Sequence, residues 1–331
     1  MSRMDQIQAI VADDMAVFQA HFKTAMRTDV TLLDTITRYI IKRKGKQMRP
    51  LFVFLTASCV RNASNPREPL PQRSHVAASL IELLHTATLV HDDVVDESST
   101  RRGFFSIQAL WKKKIAVLVG DYLLSRGLLM AVDQEAYDLL KITSEAVKQM
   151  SEGELMQIEK ARRLDITESI YFDIIQRKTA SLIAACCACG AASVGASKEE
   201  IEKMRRFGEL VGLAFQIKDD LLDLGDGERI GKPTGGDIRE RKMTLPLIHT
   251  LNQASPQERR RLIRLVKYQH HKDEAVETVM KAIIDGPGMD YARVRMAEIR
   301  DEALEILNEM PDSPGRSGLI ELVNFTIDRK R

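Results

Sequence analysis

The stretch Leu89-Val90-His91-Asp92-Asp93-Val94-Val95-Asp96 decides how the rest of this sequence is interpreted. A second acidic run of the same spacing, Asp219-Asp220-Leu221-Leu222-Asp223, occurs later in the chain. Both follow long segments in which apolar residues recur at helical spacing, so each run is predicted at the end of a helix. Residues four apart share a helix face, which places Asp92 one turn from Asp96. The same relation holds within the second run.

Acidic side chains stacked in this way repel one another unless a cation lies between them. The repulsion costs about a few tenths of a kcal/mol on a bare helix. Mg²⁺ is usually held by one or two carboxylates together with substrate phosphates, so two facing helices of this kind would hold a Mg²⁺–diphosphate from both sides. A single acidic run is more often a solvated face. Two copies in apolar helices, with basic residues around them, favour the metal site.

The composition limits the classes of protein to which the chain can belong. The 331 residues allow one large domain or two modest ones, and 44% hydrophobic residues can form a sizeable core. A net charge of +2 gives no indication of a nucleic-acid partner. Acidic residues come early, at Asp5, Asp13 and Asp14, which argues against a secretion or transit peptide. Free, buried cysteines fit a reducing cytosol, so we predict a cytoplasmic protein.

Three of the four cysteines, Cys186, Cys187 and Cys189, lie in a run of small residues, and the fourth is Cys59. Their spacing matches no zinc pattern and no histidine is near, so we predict a close-packed helix surface. The most apolar stretch, residues 115–132, contains Asp121 and Arg126. It is predicted to be a buried helix that is too short and too charged to span a bilayer, with Asp121 paired to an Arg or Lys.

The remaining segments continue the helical pattern. Helices are predicted over residues 4–24, 29–42, 51–60, 73–97, 112–132, 134–159, 167–196, 198–224, 243–253, 256–268, 272–284, 289–310 and 315–328. No alternating strand pattern of useful length occurs. We therefore predict an all-α fold: a single domain over residues 1–331, a bundle of about a dozen helices around a central cavity that carries the ligand sites. The glycine-rich stretch 225–236 fails the P-loop pattern because Pro233 stands where Ser or Thr is required.

Basic and polar residues recur close to both acidic runs. The candidates are Lys46, Arg49, His85, Arg101, Arg102, Lys178, Lys232 and Lys242. A substrate diphosphate would separate these cations from the aspartates, because Mg²⁺ bridges it to carboxylates while Lys and Arg hold the other oxygens. The same groups stabilise a departing diphosphate. Ionisation of an allylic diphosphate leaves a carbocation, which a second alkene can attack.

Several motifs follow one another in an order that matches a known family. They are Gly45-Lys46-Gln47-Met48-Arg49-Pro50, residues 82–96, Arg101-Arg102-Gly103, Gly120-Asp121, Lys178-Thr179 and residues 215–223. With these motifs nearly the whole chain resembles the trans-isoprenyl diphosphate synthases. The resemblance implies the isoprenoid synthase fold, a homodimer, Mg²⁺ as cofactor, and head-to-tail addition of isopentenyl diphosphate to an allylic primer such as farnesyl diphosphate. Lys44 and Gln47 depart from the usual Gly and Arg, which leaves the path of that turn open.

The resemblance also implies a role for individual residues. Asp92, Asp96 and Asp219 would ligate Mg²⁺, with Asp93, Asp220 and Asp223 in support, and these six with Lys178 form the predicted catalytic set. Arg101, Lys178, Thr179, Gln216 and Lys232 would hold the allylic diphosphate. Lys46, Arg49, His85 and Arg102 would hold isopentenyl diphosphate. No side chain is assigned as the final base, since the released diphosphate can take the proton. His91 is expected to be structural, and Lys242 is expected to be a solvated charge.

Product length is predicted from the helix that carries Asp92. Each elongation pushes the growing tail away from the metal, toward Thr88 and Ala87 one turn below. Both residues are small, which leaves room for a tail, and in the resembling family small residues here accompany long-chain synthases for quinone side chains. We expect a product between C30 and C50, with octaprenyl, about C40, as the central value. Release of such an apolar product would involve transient membrane contact, without stable membrane insertion.

Three alternatives remain open. A shorter-chain enzyme would make geranylgeranyl diphosphate. A terpene cyclase shares the all-α fold, but its second metal motif mixes Asn, Ser or Thr with Glu, unlike residues 219–223. A non-catalytic subunit of a heteromeric synthase would lack the aspartates, and all six are present. The sequence does not reveal the preferred primer or the quinone served.

Overall fold

The structure, a computed structural model, describes residues 3–42, 45, 47–61, 68–101, 104–164, 166–225 and 235–328, without the side chains of Arg101 and Arg163. Its α-helices are α1 (Arg3–Ala9), α2 (Ala12–Ala25), α3 (Thr31–Lys42), α4 (Met48–Val60), α5 (Gln72–Val95), α6 (Ile107–Asp133), α7 (Tyr137–Arg163), α8 (Glu168–Ile175), α9 (Ser181–Ser193), α10 (Lys198–Asp223), α11 (Gly236–Arg239), α12 (Leu245–Gln253), α13 (Pro256–Tyr268), α14 (Asp273–Ile284), α15 (Gly288–Asn308) and α16 (Pro314–Asp328). A π-helical turn, Gln176–Ala180, joins α8 to α9.

The predicted all-α fold is confirmed. Two strands of two residues each, β1 (Thr100–Arg101) and β2 (Phe104–Phe105), pair antiparallel after α5. The sequence does not predict this hairpin, because two-residue strands carry no alternating pattern. The described residues group into two compact units. The prediction of one domain over residues 1–331 stays a prediction.

The first unit comprises residues 1–147, 185–205 and 310–319. Its central helix is α5, which packs against α2, α4 and α6. Leu80 and Leu83 of α5 are fully buried, as are Leu51 and Phe54 of α4. Truncating a buried leucine of this kind to alanine typically costs about 2–5 kcal/mol. The rigid core therefore holds the carboxyl end of α5, where the first acidic run begins.

The cysteines lie in this unit's core, where all four are free and buried. A Cβ on Gly190 would come within 2.5 Å of the Val53 carbonyl oxygen, so the small-residue run lets α9 approach α4 closely. Burial raises the pKa of Cys59 to about 11 and the pKa of Cys187 to about 12. Thiols of this kind are packing residues rather than nucleophiles or metal ligands.

Helix α6 departs from the prediction of a buried helix. It is kinked at Lys112, where φ is +72°. Leu118 and Leu129 are 55% and 52% exposed, and Val117, Leu128 and Val132 are also exposed. These apolar residues recur on one helix face. Among the described helices, α6 alone is long and apolar enough to cross a membrane, a criterion that core helices of soluble proteins also meet.

The second unit comprises residues 148–184, 206–309 and 320–331. Helix α10 contributes a fully buried face that includes Phe207, Ala214, Ile217 and Leu221. Helix α12 packs against α8 and α15. Leu221 of α10 is fully buried, which fixes the carboxyl end of that helix, where the second acidic run lies.

Candidate active site

The first acidic run ends α5. Asp96 is the residue directly after the helix, and its N–H donates to the Asp92 carbonyl at 2.8 Å, so the predicted one-turn relation holds. Asp93 is buried, Asp92 half-buried and Asp96 exposed. The Asp93 carbonyl accepts hydrogen bonds from the Gln108 side chain and from the Ser98 N–H. These hydrogen bonds fix the position of the chain directly after α5, next to the carboxylates.

A cavity of about 140 Å³ lies beside this run in the first unit. Arg49, His85 and Asp93 line it, together with Phe104 and Phe105 of the hairpin. The structure therefore gathers two predicted isopentenyl diphosphate residues next to an aspartate of the first run. Lys46 and Arg102 lie outside the described residues. The backbone of Arg101 belongs to β1, and its side chain is not among those described.

The second acidic run has one deeply buried member. Asp220 is 4% exposed; its Oδ2 accepts the Tyr171 hydroxyl at 2.7 Å and its Oδ1 accepts the Gln216 amide at 3.0 Å. Burial, reinforced by the negative charges of Asp237 and Asp219, raises the pKa of Asp220 to about 7 although the two hydrogen bonds lower it. This concentration of negative charge suits a site that receives a cation.

Three of the predicted allylic residues line the same cavity as Asp220. The Thr179 hydroxyl donates to the Gln216 side-chain oxygen at 2.9 Å. The Lys178 ammonium lies 2.5 Å from Glu154 and 3.3 Å from Gln157. A cavity of about 180 Å³ in the second unit is lined by Lys178, Thr179, Gln216 and Asp220, among others. The structure thus brings together three of the five predicted allylic residues, while Lys232 lies outside the described range.

The π-helical turn sets the position of Lys178 and Thr179. Such turns occur mostly as single insertions in α-helices and frequently at functional sites. A Cβ on Gly153 would lie 2.7 Å from the Lys178 backbone nitrogen, and one on Gly212 would lie 2.4 Å from Ala180 Cα. Glycines of α7 and α10 therefore allow both helices to contact the wide turn directly.

Tyr171 and Asp237 line the second cavity and were absent from the predicted set. Tyr171 has no sequence signal, because its partner Asp220 is 49 residues away. Asp237 directly follows the glycine-rich stretch 225–236. Burial and the charge of Asp223 raise the pKa of Asp237, whereas Lys242 lowers it. Lys242, which was expected to be solvated, lies 3.3 Å from Asp237 and 2.5 Å from Glu240 and lines the cavity. Burial opposes its charge, but these two carboxylates raise the pKa of Lys242.

His91 and Asp121 were expected to be structural, and their geometry agrees with that role. The His91 Nε2 lies 3.2 Å from the Val117 carbonyl and 3.4 Å from the Asp121 carboxylate. The expected Arg or Lys partner of Asp121 was therefore wrong. Its side chain is 60% exposed, so it needs no charged partner to offset burial. Gly120 makes room for the imidazole, because a Cβ there would lie 2.1 Å from Nε2.

The predicted chain-length residues sit as follows in α5. Ala87 is fully buried, and Thr88 is half-buried with its hydroxyl donating to the His85 carbonyl at 2.8 Å. Neither lines the two cavities described above. Their role in product length stays a prediction.

No group of three or more His, Cys, Asp or Glu side chains within the described ranges is arranged to hold a metal ion by itself. A sequence model of the family described as Polyprenyl synthetase matches residues 30–283. The chain belongs to the polyprenyl synthetase family. This confirms the resemblance deduced from the motifs and makes the chain a prenyltransferase of isoprenoid biosynthesis.

Relatives that match over their full length support the assignment of this chain to the family. Octaprenyl diphosphate synthase of Escherichia coli (strain K12) is 36% identical over 330 residues, 99% of each chain. The crystal structure of a decaprenyl diphosphate synthase from Rhodobacter capsulatus has a TM-score of 0.91 at 34% identity, over 99% of each chain. A polyprenyl synthase from Caulobacter crescentus CB15, crystallised with calcium and isoprenyl diphosphate, has a TM-score of 0.88 at 32% identity, over 99% of this chain and 98% of that one.

Proposed function

We propose that this polyprenyl synthetase elongates an allylic diphosphate with isopentenyl diphosphate to a long-chain all-trans polyprenyl diphosphate, about C40, for a quinone side chain. The observation that carries the proposal is a pair of cavities that each combine cations with an aspartate of an acidic run. Arg49, His85 and Asp93 line one, and Lys178 and Asp220 line the other. Similarity to an octaprenyl and a decaprenyl diphosphate synthase supports the long product.

The residues divide between the two substrates. Arg49 and His85, with Lys46 and Arg102, hold isopentenyl diphosphate. Lys178, Thr179 and Gln216, with Arg101 and Lys232, hold the allylic diphosphate. In the reaction the allylic C–O bond breaks, the alkene of isopentenyl diphosphate forms the new C–C bond, and a proton leaves to the released diphosphate. The chain's cations stabilise the charge that develops on that leaving group.

A divalent cation fits the residues that are present. Asp92 is half-buried and Asp96, one turn later, is exposed. Burial, and after it the charge of neighbouring carboxylates, raises the pKa values of Asp220 and Asp237, and a cation would relieve that charge. Oxygen donors of this kind suit Mg²⁺, held with diphosphate oxygens and water. We assign Asp92, Asp96 and Asp219 as its ligands, with Asp93, Asp220 and Asp223 in support. Bound Mg²⁺ would supply Lewis-acid stabilisation of the diphosphate.

A second copy of the chain is proposed to cover α6. The exposed apolar residues Val117, Leu118, Leu128, Leu129 and Val132 lie on one face of that helix. Contiguous apolar surface on a soluble protein marks an interaction site, and two-fold pairing lets one face complement itself. A homodimer therefore accounts for this face without membrane insertion. We place the enzyme in the cytoplasm, with transient membrane contact during product release.

Mass analysis of the product tests the proposal. The purified full-length chain is incubated with farnesyl diphosphate, isopentenyl diphosphate and Mg²⁺. We expect octaprenyl diphosphate as the main product, and no product in EDTA. Products that stop at geranylgeranyl diphosphate would instead support the shorter-chain alternative. Absence of turnover by the pure chain would support the heteromeric-subunit alternative.

A further inference from the structure

A chain of hydrogen bonds crosses the second cavity from one helix to another. The Thr179 hydroxyl donates to Gln216, the Gln216 amide donates to Oδ1 of Asp220, and the Tyr171 hydroxyl donates to Oδ2 of Asp220. Tyr171 comes from α8 and Asp220 from α10. Both are 4% exposed. Thr179 and Gln216, both assigned to the allylic diphosphate, are thus joined to the second acidic run, and Tyr171 is the last residue of this chain of hydrogen bonds.

Two neutral donors hold the carboxylate of Asp220. The Tyr171 hydroxyl donates to Oδ2 at 2.7 Å, and the Gln216 amide donates to Oδ1 at 3.0 Å. Neither donor adds a cation to the site. Without the Tyr171 hydroxyl, Oδ2 would lose this donor while Oδ1 kept Gln216, so the orientation of the carboxylate would be less fixed.

We infer that Tyr171 is a positioning residue for the prenyl transfer: its hydroxyl fixes the Asp220 carboxylate at the wall of the cavity, in the orientation in which the second acidic run receives the metal–diphosphate. Tyr171 lines the cavity, and no motif identified in the sequence includes it. The inference rests on the proposed function. Tyr171 would act through the hydrogen bond from its hydroxyl to Asp220, and no contact between Tyr171 and the reacting atoms is proposed.

Tyr171→Phe removes this hydroxyl and little else. We expect the Mg²⁺ concentration at half-maximal rate to rise about tenfold, as the loss of one charged hydrogen bond implies. The KM for the allylic primer should rise with it. The KM for isopentenyl diphosphate should stay within about twofold, since Arg49 and His85 line the other cavity. A purely structural role would lower the amount of active protein and the thermal midpoint while leaving the Mg²⁺ requirement unchanged.

Tyr291→Phe is the matched control. The Tyr291 hydroxyl also donates to a carboxylate, Glu168, at 2.7 Å in the same unit, and Tyr291 does not line the cavity. The chemical change is therefore the same, away from the site. We expect its Mg²⁺ requirement to match that of the parent enzyme. An equal rise in both variants would overturn the inference.

A double-mutant cycle tests whether Tyr171 acts through Asp220. In an Asp220→Asn background, Tyr171→Phe should cause no further rise in the Mg²⁺ requirement. The same rise in both backgrounds would refute the role. If Tyr171→Phe does not fold, Tyr171→Met, which fills the space with a flexible side chain and lacks a donor, takes its place. If the parent enzyme is active and the Tyr171 variants have the same Mg²⁺ requirement as the parent, this inference alone is refuted. If the parent enzyme is inactive, the proposed function is refuted.

Discussion

The carboxylate of Asp223 accepts the backbone N–H of Asp237 at 3.1 Å. Its other oxygen accepts the N–H of Gly236 at the same distance, so Asp223 caps the start of α11. The last aspartate of the second run therefore holds the short helix that carries Asp237. This contact connects the second run to α11 and the residues after it, where Asp237 and Lys242 both line the cavity.

Replacing this cap should cost stability and substrate affinity together. We expect Asp223→Ala to lower the free energy of unfolding by about 1 kcal/mol, the usual cost of a lost helix cap. Asp223→Asn retains one acceptor oxygen and should lose less. Denaturant unfolding and the KM for the allylic primer measure the two effects. Equal stability of the Ala variant and the parent would contradict the capping role.

The contact between Gly153 and the π-helical turn should be sensitive to a single methyl group. In Gly153→Ala the new Cβ would lie 2.7 Å from a backbone nitrogen, which must move. We expect a loss of about 1–3 kcal/mol from overpacking, measured by thermal unfolding. Gly127→Ala is the control, because its Cβ would meet Leu80 and Leu84 at an ordinary 3.4 Å. That variant should be neutral or gain up to about 1 kcal/mol from helix propensity.

Ala87→Tyr should shorten the product. The phenol would fill the space one turn below Asp92 into which the growing chain is predicted to extend. Mass spectrometry of the products should show a shift from about C40 toward C20. Ala87→Ser, which adds only one oxygen, should keep the parent's product. A Tyr variant that still makes the parent's product would show that the tail takes another path.

The exposed face of α6 predicts how the protein associates. A carboxylate at Leu118 and another at Leu129 would put charges into the proposed contact between copies. We expect the double variant Leu118→Glu, Leu129→Glu to sediment as a monomer at concentrations where the parent sediments as a dimer. Val294→Glu, at a residue of α15 that is 55% exposed, is the control and should remain dimeric. A parent that is monomeric throughout the concentration range would rule the homodimer out.

The buried cysteines should resist alkylation. Since burial raises the pKa of Cys59 to about 11 and that of Cys187 to about 12, their reactive thiolate forms are scarce at pH 8. We expect iodoacetamide to leave the native protein unlabelled by intact mass, while all four cysteines react in denaturant. The thiolate fraction grows as pH approaches the pKa, so native labelling should increase with pH. Fast native labelling at pH 8 would mean that this core opens readily.

The sequence predicted the long helices well where apolar residues recur at helical spacing over many turns. Helix α10 was predicted at 198–224 and is Lys198–Asp223, and α5 was predicted at 73–97 and is Gln72–Val95. The segment 4–24 was predicted as one helix but is divided between α1 and α2. No glycine or proline marks that break. Its position depends on tertiary packing, which a local pattern does not record.

The residues of the candidate site also divide into those that a sequence pattern predicts and those that depend on tertiary packing. Arg49, His85, Lys178, Thr179 and Gln216 belong to motifs, and the structure places all five on cavity walls. Tyr171 and Asp237 were missed because their importance comes from partners brought close by folding. The π-helical turn was also missed, since the letters of Gln176–Ala180 are compatible with an ordinary helix. Its cause lies in the helices packed against it.

That turn has a consequence for how the chain tolerates changes in length. Each residue of an α-helix advances the side-chain direction by about 100°, and the π-helical turn holds one residue more than an α-helical turn. The extra residue therefore changes the direction in which the side chains of α9 point relative to those of α8. Deleting one residue within Gln176–Ala180 would rotate Leu182 and Ala184 away from their present neighbours, including the close approach of Ala184 to Gly208. Substitutions there change one contact, but a deletion would change the register of a whole helix.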